Sequence, residues 1–123
     1  MTETQLWSNS APTSSFGTQT ITLNGNISDY KYIKLTYRYT TSDATTIDIY
    51  MSTDDYKNKC LYSSTGLTAG RLSPSFVTSS KVAYARSSSY VADNQILFGS
   101  CVTMNGTTSN NSYCIPTKIS GLK

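Results

Sequence analysis

A chain of 123 residues is the size of one domain and can bury a core without metals or disulfides. Serine, threonine and 10 tyrosines dominate its composition, and residues that favour long helices are scarce, so the composition favours strands. The net charge of +3 is not concentrated in a run of Lys or Arg, which argues against a nucleic-acid partner. The sequence holds no apolar run of membrane-spanning length, so membrane insertion is not expected either.

The predicted strands follow one another at regular spacing, with turn residues between them. In chain order they cover residues 19–23, 30–40, 45–51, 59–62, 71–77, 81–86, 95–104 and 113–119. Residues 30–51 predict an antiparallel hairpin, because apolar and polar side chains alternate on both sides of a turn at Ser42 and Asp43. In its second strand, Ile47, Ile49 and Met51 are expected to face inward and Tyr50 outward.

Three further segments complete this pattern. Residues 54–58 are predicted to be a polar loop, and residues 95–104 a central strand, because apolar side chains fall on both of its faces. The last predicted strand is apolar at Ile115 and Ile119 and is expected to be buried. Eight or nine short strands therefore predict an all-β fold, a jelly-roll-like antiparallel β-sandwich forming a single domain at 1–123.

Several short motifs near the two ends of the chain carry a resemblance to a known kind of domain. They are Leu-Trp-x-Asn at residues 6–9, Pro-x-Ser-x-Phe at 12–16, Gln-Thr-Ile-x-Leu at 19–23, Ser-x-Tyr-x-x-Ile at 28–33, Asn-x-Tyr-Cys-Ile-Pro at 111–116 and Ile-x-Gly-x-Lys at 119–123. In these motifs the chain resembles small C-terminal domains of structural proteins from tailed bacteriophages and prophages, such as tail-fibre, tip and baseplate proteins. It departs from them at Ser120, where a Tyr is expected, and residues 40–80 carry no such motif.

The resemblance implies a virion-associated receptor-binding head that recognises host-surface carbohydrate and contacts other phage tail or virion proteins. It also implies a homo-oligomer, with a trimer as one expected stoichiometry. The N-terminus lacks the pattern of a secretory signal, so the expectation is synthesis in the bacterial cytoplasm and location in the virion. The alternative is a structural capping, trimerisation or decoration module that binds no receptor.

The chemistry of the side chains argues against an enzyme. The chain has no His to serve as the usual base of a hydrolase, and only 7 Asp and Glu residues, most of them at predicted turns. A polysaccharide hydrolase is therefore the least favoured hypothesis, and no cofactor or metal is expected. A calcium-binding loop at Asp54, Asp55 and Asn58 is the weaker alternative to a solvated turn there.

The three cysteines are expected to be reduced and to pack in the core, because their number is odd and their spacing fits no zinc motif. A disulfide between Cys101 and Cys114 on neighbouring strands is the alternative.

The candidate ligand-binding residues are aromatic or polar side chains at outward or loop positions, or close to them in sequence. Aromatic rings stack on the apolar faces of sugars, and polar groups bond the sugar hydroxyls. The candidates are Tyr56, Tyr62, Arg86, Tyr90 and Asn94. Trp7 and Tyr50 are also placed at outward or loop positions. Ordinary packing, including packing against a neighbouring subunit, is the favoured role for each of these aromatic residues, most strongly for Trp7.

Overall fold

Two antiparallel four-stranded sheets form the protein in the computed structural model, which describes residues 2–61, 73–103 and 108–123. The strands are β1 (Glu3–Ser8), β2 (Gln19–Thr22), β3 (Tyr32–Thr40), β4 (Thr46–Ser52), β5 (Ser75–Val77), β6 (Ala83–Ala92), β7 (Gln95–Thr103) and β8 (Tyr113–Leu122). One sheet has the order β1-β8-β3-β4 and the other β2-β7-β6-β5. The predicted all-β sandwich is confirmed.

The order of the strands explains where the edges of the sandwich lie. As in a jelly roll, the first two strands pair with the last two, β1 with β8 and β2 with β7. The middle strands pair as hairpins within one sheet, β3 with β4 and β5 with β6. Each sheet thus has one edge formed by an early strand, β1 or β2, and one formed by a middle strand, β4 or β5.

The hairpin predicted at residues 30–51 is present, with the expected faces. Ile33, Leu35 and Tyr37 of β3 are buried, and Tyr50 of β4 is 58% exposed. Lys34 is an exception, since it was placed on the polar face but is buried. Its ammonium lies 2.6 Å from Oε1 of Glu3 on β1, so the long side chain lies along the sheet and is shielded by its partner.

The segment after β4 differs from its prediction. The polar loop expected at residues 54–58 is a short helix, α1 (Thr53–Lys59), so the strand expected at 59–62 does not begin at Lys59. The Oγ of Ser52 accepts a hydrogen bond from the backbone N–H of Asp55 and caps the first turn. Acidic residues then occupy the first turn and lysines the last, which matches the helix dipole.

The predicted central strand at residues 95–104 is β7, which lies between β2 and β6. Ile96 and Phe98 are buried, as expected. The register of β6 and β7 then shifts between Phe98 and Cys101, which places one extra residue in β7. Because this bulge reverses the alternation, Cys101 is buried and Val102, which was expected to share the face of Phe98, is only partly buried.

The C-terminal strand β8 is central in its sheet, between β1 and β3. Ile115 and Ile119 are fully buried, which confirms the expectation from their apolar character. Gly121 lies against the ring of Tyr30, and a Cβ at this position would overlap the ring carbons. Lys123 places its ammonium 5.5 Å from the centre of the same ring. Residues of the motifs at 28–33 and 119–123 therefore pack on each other.

Candidate functional site

Tyr56 and Arg86, two of the five candidate ligand-binding residues, lie inside the protein. Tyr56 was expected in a loop, but α1 turns its side chain into the core, where it is 0% exposed. Its position was therefore predicted wrongly. Burial raises the pKa of its phenol far above the ordinary value near 10. In this conformation Tyr56 packs in the core and presents no ring to a ligand.

Arg86 is also completely buried, on the inner face of β6. Its Nε donates to the carbonyl oxygen of Cys114 at 2.8 Å, and its Nη1 to that of Gly99 at 2.9 Å. Its Nη2 donates to the carbonyls of Tyr113 at 3.1 Å and Asn111 at 3.4 Å. Burial lowers the pKa of the guanidinium. Arg86 thus joins β7 to the start of β8, and its donors are directed at the backbone.

Tyr90 and Asn94 remain at the surface, near the turn between β6 and β7. The hydroxyl of Tyr90 donates to Oδ1 of Asp93 at 2.6 Å, and this hydrogen bond raises the pKa of Tyr90 to about 12. The same bond holds the pKa of Asp93 below its usual value, and the ammonium of Lys57 lies 3.4 Å from that carboxylate. Tyr62 lies outside the described residues. Of the five candidates, Tyr90 and Asn94 are therefore the two that lie together at a described surface.

A pocket of about 280 Å³ opens at the side of the sandwich where β1 and β2 form the edges of their sheets. It is lined by residues 7–11, 14–16, 19 and 21, which belong to β1, β2 and the connection between them. Trp7 and Phe16 supply its aromatic wall, and serines, Asn9 and Gln19 supply its polar wall. We take this pocket as the candidate functional site.

A β-bulge places Trp7 in the pocket. In β1 the register against β8 shifts between Gln5 and Trp7, so that Leu6 is an extra residue in the strand. Leu6 is buried, and regular alternation would turn Trp7 away from the core. Instead, Trp7 is half-buried and its ring lies 5.9 Å from that of Phe98 in the opposite sheet. Bulges commonly redirect a side chain in this way next to functional sites.

Asn9 fixes the start of the connection that covers the pocket. Its Nδ2 donates to the carbonyl of Pro116 at 2.9 Å, and its Oδ1 accepts from the N–H of Ala11 at 2.8 Å. Its own N–H donates to the carbonyl of Thr117. Because both ends of the amide are engaged, Asn9 shapes the loop, and other residues must supply any contacts to a ligand.

Asn111 fixes the other end of the connection. Its carbonyl oxygen accepts from the N–H of Phe16 at 3.0 Å and from Nη2 of Arg86 at 3.4 Å. The guanidinium of Arg86 also lies 5.4 Å from the centre of the Phe16 ring. Arg86 thus supports the aromatic wall of the pocket from behind, a role different from the direct ligand contact expected from the sequence.

The pocket residues Ser8, Asn9, Ser10, Ser14 and Gln19 were not among the candidate binding residues. The signal that could have identified them is the position of the motifs, since the segments 6–9, 12–16 and 19–23 all contribute to the lining. The tyrosines at predicted loop and outward positions instead indicated a site within residues 56–94. The pocket needs β1 and β2 to lie side by side in different sheets, and local periodicity does not reveal that arrangement.

The remaining features bear less directly on a site. The three cysteines are buried as free thiols, and their burial agrees with the expected packing in the core. Asp54, Asp55 and Asn58, the weaker calcium candidates, lie exposed on α1. Within residues 2–61, 73–103 and 108–123, no cluster of three potential His, Cys, Asp or Glu ligands is placed to hold a metal. The helices in the same ranges are too short or too polar to cross a membrane.

Comparison with known proteins yields no match to a family model, and no match among curated proteins.

Proposed function

We propose that this chain is a non-enzymatic, virion-associated domain of a phage or prophage that recognises host-surface carbohydrate. The observation that supports this most is the pocket beside Trp7, in which an aromatic ring lies next to hydroxyl and amide side chains. Such a combination suits sugars, whose C–H faces stack on aromatic rings and whose hydroxyls need hydrogen-bonding partners. Residues from three of the motifs that carry the resemblance to phage domains line this pocket.

Binding by a small open pocket is expected to be weak for one copy. Several copies on one virion would raise the effective concentration of sites near the cell surface, so that avidity supplies the useful affinity. The proposal therefore includes a homo-oligomer, with a trimer as one arrangement, attached to other tail or virion proteins.

Binding to a glycan array and to host cell walls tests the proposal. We expect saturable binding by the wild-type domain and about 5-fold weaker binding by Gln19→Ala, which removes an exposed amide at the pocket at the cost of about one hydrogen bond. Gln5→Ala is the matched control, because Gln5 is also exposed on an edge strand but does not line the pocket. Carbohydrate recognition would be refuted if the domain, at a millimolar concentration of binding sites, bound no glycan of the array and no cell wall of the host.

A structural capping, trimerisation or decoration module is the second candidate. It is supported by exposed apolar side chains on the two edge strands opposite the pocket, Tyr50 of β4 at 58% and Val77 of β5 at 61%. Subunit contacts would cover such residues. Light scattering distinguishes the candidates: a stable oligomer that Tyr50→Lys dissociates, combined with no glycan binding, favours the structural role.

A further inference from the structure

We infer that the pocket binds the ring of a single uncharged pyranose, stacked on Trp7 and held by the serine hydroxyls and Gln19. This inference rests on the proposed carbohydrate-binding function and specifies the class of sugar. It follows from the size of the pocket, the packing of Trp7, the polar groups of the lining and the partners of two neighbouring charged side chains.

The size of the pocket favours one ring over a long oligosaccharide. Its volume of about 280 Å³ lies just below the range of roughly 300–1,000 Å³ that is usual for drug-sized ligands. The lining comes from one short connection and the two strands that it joins. A terminal sugar, or a branch, can enter a site of this size while the rest of a glycan stays outside.

The ring of Trp7 is held in place before any ligand binds. It contacts Phe16 at 6.3 Å in an edge-to-face arrangement and Phe98 at 5.9 Å between ring centres. Phe16 and Phe98 contact each other at 5.6 Å, so the three rings form a closed aromatic cluster. Preorganisation of this kind reduces the entropy that binding would otherwise cost.

The polar wall has groups that suit sugar hydroxyls. Ser8, Ser10, Ser14 and Gln19 are exposed, and each can both donate and accept hydrogen bonds. Asn9 is a positioning residue, because its amide is engaged by Pro116 and Ala11. Sugar hydroxyls also donate and accept, and they match these neutral side chains.

Two charged side chains next to residues of the pocket lining, those of Lys118 and Arg86, already have partners. Lys118 is paired with Ser8 across β1 and β8, and its ammonium lies 3.6 Å from Oε2 of Glu3. Arg86 lies behind Phe16 and directs its donors at backbone carbonyls. A carboxylated sugar would lose hydration on entry and find neutral groups in return, so uncharged sugars are favoured.

Trp7 is the single tryptophan of the chain, so tryptophan fluorescence reports on the surroundings of this one residue of the pocket. The probes are methyl α-D-glucopyranoside, methyl β-D-galactopyranoside, methyl N-acetyl-β-D-glucosaminide and methyl β-D-glucuronide, together with the sugar that terminates the strongest array ligand. We expect a saturable change in emission and protection from acrylamide quenching with at least one uncharged probe, and at least 10-fold weaker binding of the glucuronide. Gln19→Ala should weaken the response about 5-fold, and Gln5→Ala should leave it unchanged.

Two results would overturn the inference while the proposed function stands. One is glycan binding on the array that leaves the emission of Trp7 unchanged, since the sugar would then bind elsewhere. The other is binding of the glucuronide as tight as that of any uncharged probe. Failure of all array and cell-wall binding would instead refute the proposed function itself.

Trp7→Phe, which keeps an aromatic ring against Phe16 and Phe98, gives a second test: it should stay folded by circular dichroism and bind the array ligand more weakly.

Discussion

Arg86 is the residue whose role differs most from what its type suggests. An arginine near exposed tyrosines indicated a ligand contact, but the side chain is 0% exposed and its donors reach four backbone carbonyls. A guanidinium has five N–H donors in a fixed planar arrangement and can bond four acceptors at once, whereas an ammonium has three donors at a single point. The sequence could not reveal this role, because the residues that supply the acceptors follow Arg86 by 13 to 28 positions in the chain.

Replacement of Arg86 tests this structural role. Arg86→Met should lower the free energy of unfolding by about 3 kcal/mol or more, because it removes a donor from four partly or fully buried carbonyls, of which that of Cys114 is the most buried. Arg86→Lys should recover only part of the loss, since a single ammonium cannot reach all four oxygens. Urea unfolding followed by circular dichroism measures both changes. If Arg86→Lys were as stable as the wild type, charge alone and not the geometry of the fork would explain the role of Arg86.

At the scale of elements, each of the strands β2 to β8 overlaps a strand predicted from the sequence, and β1 does not. β3, β4 and β7 lie within two residues of the predicted bounds, because apolar and polar residues alternate along β3 and β4 and apolar residues fall on both faces of β7. β1 was missed, since its residues are mostly exposed and its alternation is broken by the bulge at Leu6. β6 continues to Ala92, beyond the predicted end, with buried Ser88 and Ser89, and serines give no apolar signal.

The helix α1 was missed for a different reason. Its seven residues are mostly polar and contain no run of strong helix formers, so hydropathy suggested a loop. The local cues were the capping serine before two acidic residues and the lysines near the end. The pocket was missed for a similar reason, because its polar residues come from a connection without periodicity.

Loss of the cap should destabilise α1. Ser52→Ala removes the oxygen that accepts the N–H of Asp55 and is expected to lower the free energy of unfolding by about 1 kcal/mol. Urea unfolding measures the change. Ser79→Ala is the matched control, because Ser79 is an exposed serine in the turn between β5 and β6. Equal stability of the two variants would contradict the capping role.

At the scale of the whole molecule, tyrosines with raised pKa values make the stability of the fold depend on pH in the alkaline range. Burial raises the pKa of Tyr37 and Tyr56 well above the ordinary value near 10, and the hydrogen bond to Asp93 raises that of Tyr90 to about 12. In the unfolded chain these phenols ionise near pH 10. Their contribution to stability is therefore complete below pH 10 and is lost as the pH rises through the higher pKa values of the folded state.

The expected result is a fall in the free energy of unfolding above pH 10, with the buried phenols ionising only as the fold is lost. Absorbance at 295 nm should show a late step that coincides with the change in far-ultraviolet circular dichroism. The double variant Tyr37→Phe/Tyr56→Phe should lose part of this late step, because both rings are buried. An unchanged late step in the double variant would show that these two rings ionise in the folded protein.

The central position of β8 has a consequence for folding during synthesis. β1 leaves the ribosome about 100 residues before its partner in the sheet, the strand of residues 113–122. β3 can pair with β4 early, but β1 must wait about 100 residues, which is several seconds at the usual rate of translation. Until then β1, with the apolar side chains of Leu6 and Trp7, lacks the strand with which it pairs.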